Sequence, residues 1–158
     1  MIDENQKRTR GGTSPRRGEP LRVLVAFDKF KHAMGAKGIC SIAEAVVREW
    51  ATPVEVSVAP LTDGGEGFVD IFTAAADGRI EQLTVTGPRG EPVEARIGRV
   101  DACQIPETAR QIARLPDQGR IGVIEMAQAA GIERVADADR DPFRTTTAGV
   151  GEMMSGMV

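Results

Sequence analysis

Between residues 21 and 75 the apolar positions switch repeatedly between strand and helix periods, and that alternation restricts the fold more than any other feature of this 158-residue chain. Residues 21–27 (LRVLVAF) are a short β-rich apolar run, the pattern of a strand buried in a parallel sheet. After a polar segment, Ile39, Ile42, Ala43, Val46 and Val47 recur at helical spacing and predict the buried stripe of a helix, which Thr52-Pro53 ends. Val54, Val56 and Val58 then alternate with Glu55 and Ser57, as a second strand would. Residues 60–67 form a loop opening a second helix, with its inner face predicted at Phe68, Ile71, Phe72 and Ala75. The order β-α-β-α implies a parallel, Rossmann-like sheet with crossover helices. Chemistry in such sheets sits beyond the carboxyl ends of the strands, and the polar segments 28–31 and 63–66 both fall at that edge.

The pattern changes near Arg79. Residues 80–86 and 93–100 alternate apolar and polar side chains around Gly87-Pro88-Arg89-Gly90, which predicts a β-hairpin. A helical spacing over 105–115 and a strand over 120–126 follow. Thr145-Thr146-Thr147 stands before Gly149, Gly151 and Glu152 at an expected helix start. The organisation predicted is an α/β chain with a first domain over 21–78 and a second α/β unit over 79–158. The last helix ends in an apolar, uncapped turn, and a small second sheet would leave an edge unpaired. Both lead to the expectation that the chain is the amino-terminal fragment of something larger.

Composition narrows the classes. The chain is 41% hydrophobic and 27% charged, as soluble globular proteins are, and with only 4% aromatic residues its core must be aliphatic. Residues 1–20 hold five basic and three acidic side chains, in a stretch rich in Arg, Gly, Ser and Pro that is expected to be disordered. The remaining positions carry 15 basic against 20 acidic side chains, so no basic stripe marks a nucleic-acid partner. No apolar segment resembles a secretory signal or a membrane span, and a cytoplasmic location is expected. Cys40 and Cys103 lack ligand spacing and are expected to be reduced. His32 is the only histidine, which excludes a Ser-His-Asp triad and a multi-histidine metal site within this chain. It is expected to be exposed, and Trp50 to be a packing residue.

Several segments can carry chemistry. Asp28-Lys29-Phe30-Lys31 places two ammonium groups and a carboxylate after a strand, suited to an anionic substrate, or else to nothing more than a solvated ion pair. Asp63-Gly64-Gly65-Glu66-Gly67 concentrates three glycines, which points to positive φ or to close backbone approach. Its two carboxylates suit Mg²⁺ or a hydroxyl better than bare phosphate. The competing reading is an ordinary helix capping arrangement. Glu125 interrupts an apolar strand, so it lies at a wet end or has a partner. Thr145, Thr146 and Thr147 could bind phosphate or simply cap a helix, and capping is favoured for Thr145.

Taken together, residues 28–31, Pro60-Leu61-Thr62-Asp63-Gly64-Gly65-Glu66-Gly67 and the Gly87-Pro88 turn through Val93 resemble the glycerate kinase family. So do Val123-Ile124-Glu125-Met126-Ala127 and the stretch from Asp141-Pro142 through the three threonines to Gly151-Glu152, in the same order along the chain. The resemblance implies ATP- and Mg²⁺-dependent transfer of a phosphoryl group to a hydroxyl of D-glycerate, by two α/β domains, the second inserted into the first. It also implies chains more than twice this length. His32-Ala33-Met34-Gly35 departs from the family's usual Gly-Ser-like or Gly-Thr-like helix start, and residues 101–119 form a longer connection than usual.

Phosphoryl transfer depends on positioning and charge neutralisation. The expected catalytic residues are therefore Asp63, Lys29 and Lys31. Asp28, Gly64, Gly65, Glu66, Thr146 and Thr147 are expected to bind substrate, and Glu66 and Glu125 to hold the metal. Two other readings compete: an inactive fragment that at most binds glycerate or anions, and a Mg²⁺-dependent hydrolase or nuclease, which the acidic body disfavours.

Overall fold

A computed structural model describes residues 19–157, so all but the last two positions of the basic tail lie outside the described residues. Strand β1 (Leu21–Val25) pairs in parallel with β2 (Val54–Val58), with Leu21 opposite Val54 and Val25 opposite Val58. Helix α1 (Ala36–Arg48) connects them and packs on one face of the pair. Its Cys40 is fully buried with Sγ 3.9 Å from the Phe27 carbonyl, and Ala36, Ile39 and Val47 are buried with it. Ile42 and Val46 of the predicted stripe are instead more than half exposed, because among the described residues α1 lies mainly against these two strands. Trp50, expected to pack, is likewise 49% exposed.

The core lies elsewhere. Strands β3 (Arg79–Thr86) and β4 (Pro92–Asp101) form the expected hairpin, closing at Thr86 opposite Pro92. Its turn is made by Gly87-Pro88-Arg89-Gly90, with Gly90 at φ +87°, a conformation that glycine adopts without strain. Short β5 (Arg120–Val123) adds antiparallel to β4, after a 3₁₀ turn and helix α3 (Glu107–Ala113). Helix α2 (Phe68–Ala75) packs on β4, β3 and β5, so this antiparallel sheet, not the parallel pair, receives its buried face.

That face is rotated from the predicted one. Val69, Thr73 and Ala76 are buried, Phe68 and Phe72 pack beside them, and Ala75 is exposed. Val69 and Ala76 join Val100, Ile105 and Val123 in one cluster. On the other side of the sheet, Val85, Ala95 and Ile97 meet Ala129 of the one-turn helix α4 (Ala127–Ala130) and Met153 of α5 (Ala148–Ser155). Gly149 lets α5 approach closely: a Cβ there would stand 2.0 Å from the Thr86 carbonyl oxygen. Glu152 fastens the same contact, accepting hydrogen bonds from the Thr86 amide at 2.7 Å and hydroxyl at 2.6 Å. The architecture is thus mixed α/β, with a two-stranded parallel sheet beside a three-stranded antiparallel one.

Candidate active site

The β1–α1 connection folds back on itself, Phe30 pairing with Met34 in an isolated bridge and His32 at the tip with φ +61°. The β2–α2 connection carries the glycine cluster. Gly64 and Gly67 have φ of +89° and +90°, and Gly65 matters for a different reason. A Cβ on Gly65 would lie 2.9 Å from Asp63 Oδ1 and 3.1 Å from Lys29 Nζ, so a larger residue would make these two side-chain ends shift. Both reasons anticipated for the three glycines therefore operate, at different positions.

Between these loops and the start of α2 lies a cleft of about 460 Å³, lined by Lys29, Lys31, His32, Glu66, Asp70 and Glu133 among others. Lys29 reaches Asp63 at 3.5 Å, with its side chain only 21% exposed. The Gly65 amide donates to Asp63 Oδ1 at 2.9 Å. That bond, with the Lys29 charge, holds the Asp63 carboxyl below its ordinary pKa. Asp28 has a local role, its carboxylate accepting from the following amide of Lys29 at 2.6 Å.

Glu66 moves the other way. Its carboxyl is raised above the ordinary glutamate value, first by a hydrogen bond with the Glu133 carboxyl, then by burial and the Glu133 charge. Glu133, on the 3₁₀ turn Ile132–Arg134, also stands 3.7 Å from His32 Nδ1. Sequence reasoning missed this residue, since only tertiary folding brings position 133 to loops at 32 and 66. Asp70 is engaged by Arg96 of β4 through two oxygens, at 2.9 and 2.8 Å.

Glu125 is buried, and its sequence setting correctly required a partner. The partners are the Gly67 and Val69 amides, which donate to Oε2 at 3.1 and 3.3 Å, while Gln128 Nε2 lies 3.4 Å from Oε1. The carboxylate expected to hold a metal is thus spent on the free amides at the start of α2. Glu66, the other expected metal ligand, faces Glu133. Among the described residues, no group of three or more His, Cys, Asp or Glu is placed to hold a metal ion. These donors do not form a dedicated Mg²⁺ cage, although Mg²⁺ commonly binds through one or two carboxylates with substrate phosphates.

Thr146 and Thr147 are not brought to Lys29 and Glu66. They line a second cleft of about 490 Å³ with Pro88, Ile132, Val135 and Arg140. There the Thr146 hydroxyl accepts from the Ala148 amide at 3.1 Å, and the Thr146 amide donates to Pro88 O at 2.8 Å. Thr145 donates its hydroxyl to the Asp141 carbonyl at 3.2 Å. The Ile132–Arg134 turn separates the two clefts, giving Glu133 to the first and Ile132 to the second.

No described helix is long and apolar enough to cross a membrane.

Comparison with known proteins bears directly on this arrangement. The model of the glycerate kinase family matches residues 23–158. The chain is 34% identical over 134 residues to a glycerate kinase of Bacillus subtilis, covering 85% of this chain and 31% of that protein. It is 32% identical over the same length to glycerate 2-kinase of Escherichia coli, with the same coverage. A crystal structure assigned as glycerate kinase 2 from Salmonella typhimurium LT2 superposes with a TM-score of 0.58 at 31% identity, covering 87% of this chain and 33% of that one. The chain therefore spans about a third of the length of the proteins it matches.

Proposed function

The chain belongs to the glycerate kinase family, and from that premise we propose that it supplies the acceptor side of an ATP-dependent phosphoryl transfer to a hydroxyl of D-glycerate. One observation supports this above the others: Lys29 and Lys31 enter the same cleft as Glu66, with Asp63 3.5 Å from Lys29 across a glycine-rich loop. Two ammonium groups suit a carboxylate, and one of them can turn to the transferred phosphoryl group as charge develops on it.

Asp63 is the residue to orient the acceptor hydroxyl. Its lowered pKa makes it a weak base, which matches a reaction whose loose transition state asks more for alignment than for proton removal. ATP and Mg²⁺ are the cofactors this reading carries. The metal would enter with the nucleotide phosphates, and Thr146 and Thr147 are the polar groups of the second cleft available to an anionic ligand. D-glycerate is the small-molecule partner.

A second reading keeps the binding and drops the turnover: the chain holds glycerate but does not phosphorylate it. An assay coupling ADP release to D-glycerate, run beside a binding titration, separates the two. Glycerate-dependent turnover that disappears in Asp63→Asn supports the kinase reading. Binding that weakens in Lys31→Ala without turnover supports the second, and absence of both would contradict the acceptor-site assignment itself.

A further inference from the structure

The charges around the first cleft are not arranged as a simple anion trap. Lys29, Lys31 and Lys37 supply positive charge, and His32 stands at the rim. Asp70 is neutralised by its two-point pairing with Arg96, and Asp63 by Lys29. That leaves one feature in opposition to the lysines, the carboxyls of Glu66 and Glu133, which line the same cleft, Glu133 standing 3.7 Å from His32 at its rim. Their closeness is imposed by the fold. Glu66 sits on the loop entering α2, Glu133 on the turn following α4, and Glu125, from the same segment as Glu133, caps α2 through Gly67 and Val69.

We propose that Glu133 is a specificity-determining residue, which together with Glu66 restricts this cleft to hydroxy acids carrying a single negative charge. The inference rests on the acceptor-site reading above and adds the acid's charge class to it. An acid with one carboxylate can be held by the lysines with its hydroxyl end towards the glutamates. A second carboxylate or a phosphate at that end meets the glutamate pair, and bringing like charges together in a partly desolvated site disfavours the dianion. Without this pair, Lys31 and Lys37, which unlike Lys29 meet no carboxylate partner among the described residues, would favour the dianion, since each could take one charge.

The test uses the 158-residue chain and two acids of nearly the same size, D-glycerate and tartronate, in which a carboxylate replaces the hydroxymethyl group. Titration calorimetry near neutral pH should give at least about tenfold tighter binding of D-glycerate by the native chain. Glu133→Gln should bring the ratio close to one, by strengthening tartronate while leaving D-glycerate little changed. Glu133→Asp should retain most of the discrimination. Circular dichroism of each variant establishes that it is folded. A native chain that binds tartronate as tightly as D-glycerate would overturn the inference while leaving the acceptor site intact. So would a Glu133→Gln ratio equal to the native one. A native chain that binds neither acid overturns both.

Discussion

The parallel and antiparallel parts of this molecule divide chemistry from stability. The β1–α1–β2 part carries Lys29, Lys31 and His32 but leaves Leu24 67%, Ile42 54% and Val46 55% exposed. The antiparallel part buries Ala95, Ile97, Val100 and Met153 almost completely and offers the proposed reaction little beyond Glu133 and the threonines. The two are joined through α2, whose buried face belongs to the antiparallel sheet while its entry loop belongs to the cleft. One carboxylate of the cleft, Asp70, is tied to the more buried part through Arg96 of β4.

This division can be broken experimentally, and the largest effect should come from the antiparallel core. Met153→Ala removes a fully buried side chain between α5 and the sheet, and should lower unfolding free energy by about 3 kcal/mol, read from denaturant midpoints. Ile42→Ala on α1 should cost under about 0.5 kcal/mol, as exposed positions do. Equal losses at the two sites would show that the parallel part contributes as much packing as the antiparallel one.

Glu125→Ala comes next. Losing charge-assisted bonds to the Gly67 and Val69 amides should cost about 2 kcal/mol. Amide exchange at the start of α2 should accelerate more than exchange in β3 and β4, because the lost partner belongs to the helix terminus alone.

Gly65→Ala should act on the cleft with little effect on the core. The added Cβ lies 3.1 Å from Lys29 Nζ and 2.9 Å from Asp63 Oδ1, so these two side-chain ends must shift. D-glycerate binding is expected to weaken about tenfold while the thermal midpoint barely moves. A large drop in the midpoint would instead make this glycine a structural requirement.

The smallest effects are those of pH. Glu66 has a raised pKa in the folded state, so its ionisation opposes folding: stability falls as pH rises from the ordinary glutamate value through the raised one. Glu66→Gln should therefore gain stability relative to the native chain near neutrality and lose that advantage in acid. Glu152, held low by the Thr86 hydroxyl and amide, has the opposite sign. Its contribution is complete above the ordinary glutamate value and is lost as pH falls through the lowered one. Glu152→Gln should accordingly cost stability near neutrality and little in acid. Thermal midpoints of the native chain and both variants across that range give the two signs directly.

Local signals carried much of this structure. The hairpin was legible because Gly87-Pro88-Arg89-Gly90 is turn chemistry between two alternating runs. The glycines at 64, 65 and 67 announced a special backbone, and both positive φ and close approach are found there. Burial was harder to read. Helix α2 is apolar on several sides, with Ile71 at the cleft and Val69 in the core, so periodicity found Phe68 and Phe72, which pack on the core, but chose Ile71 and Ala75 in place of Val69, Thr73 and Ala76. The Ile42 and Val46 stripe has the right period yet meets nothing among the described residues that would bury it. Glu133 gave no signal at all, since its role depends on a turn that the fold brings to His32 and Glu66, 101 and 67 residues earlier in the chain.

The central claim is that one cleft between the two connecting loops receives the acceptor acid. Titrating the ¹⁵N-labelled chain with D-glycerate and following its amide resonances tests this most directly. The largest shifts should fall at residues 29–38 and 63–67 and at Glu133, and should vanish in Lys31→Ala. Shifts centred on the threonine cleft instead, or none at saturating D-glycerate, would contradict it.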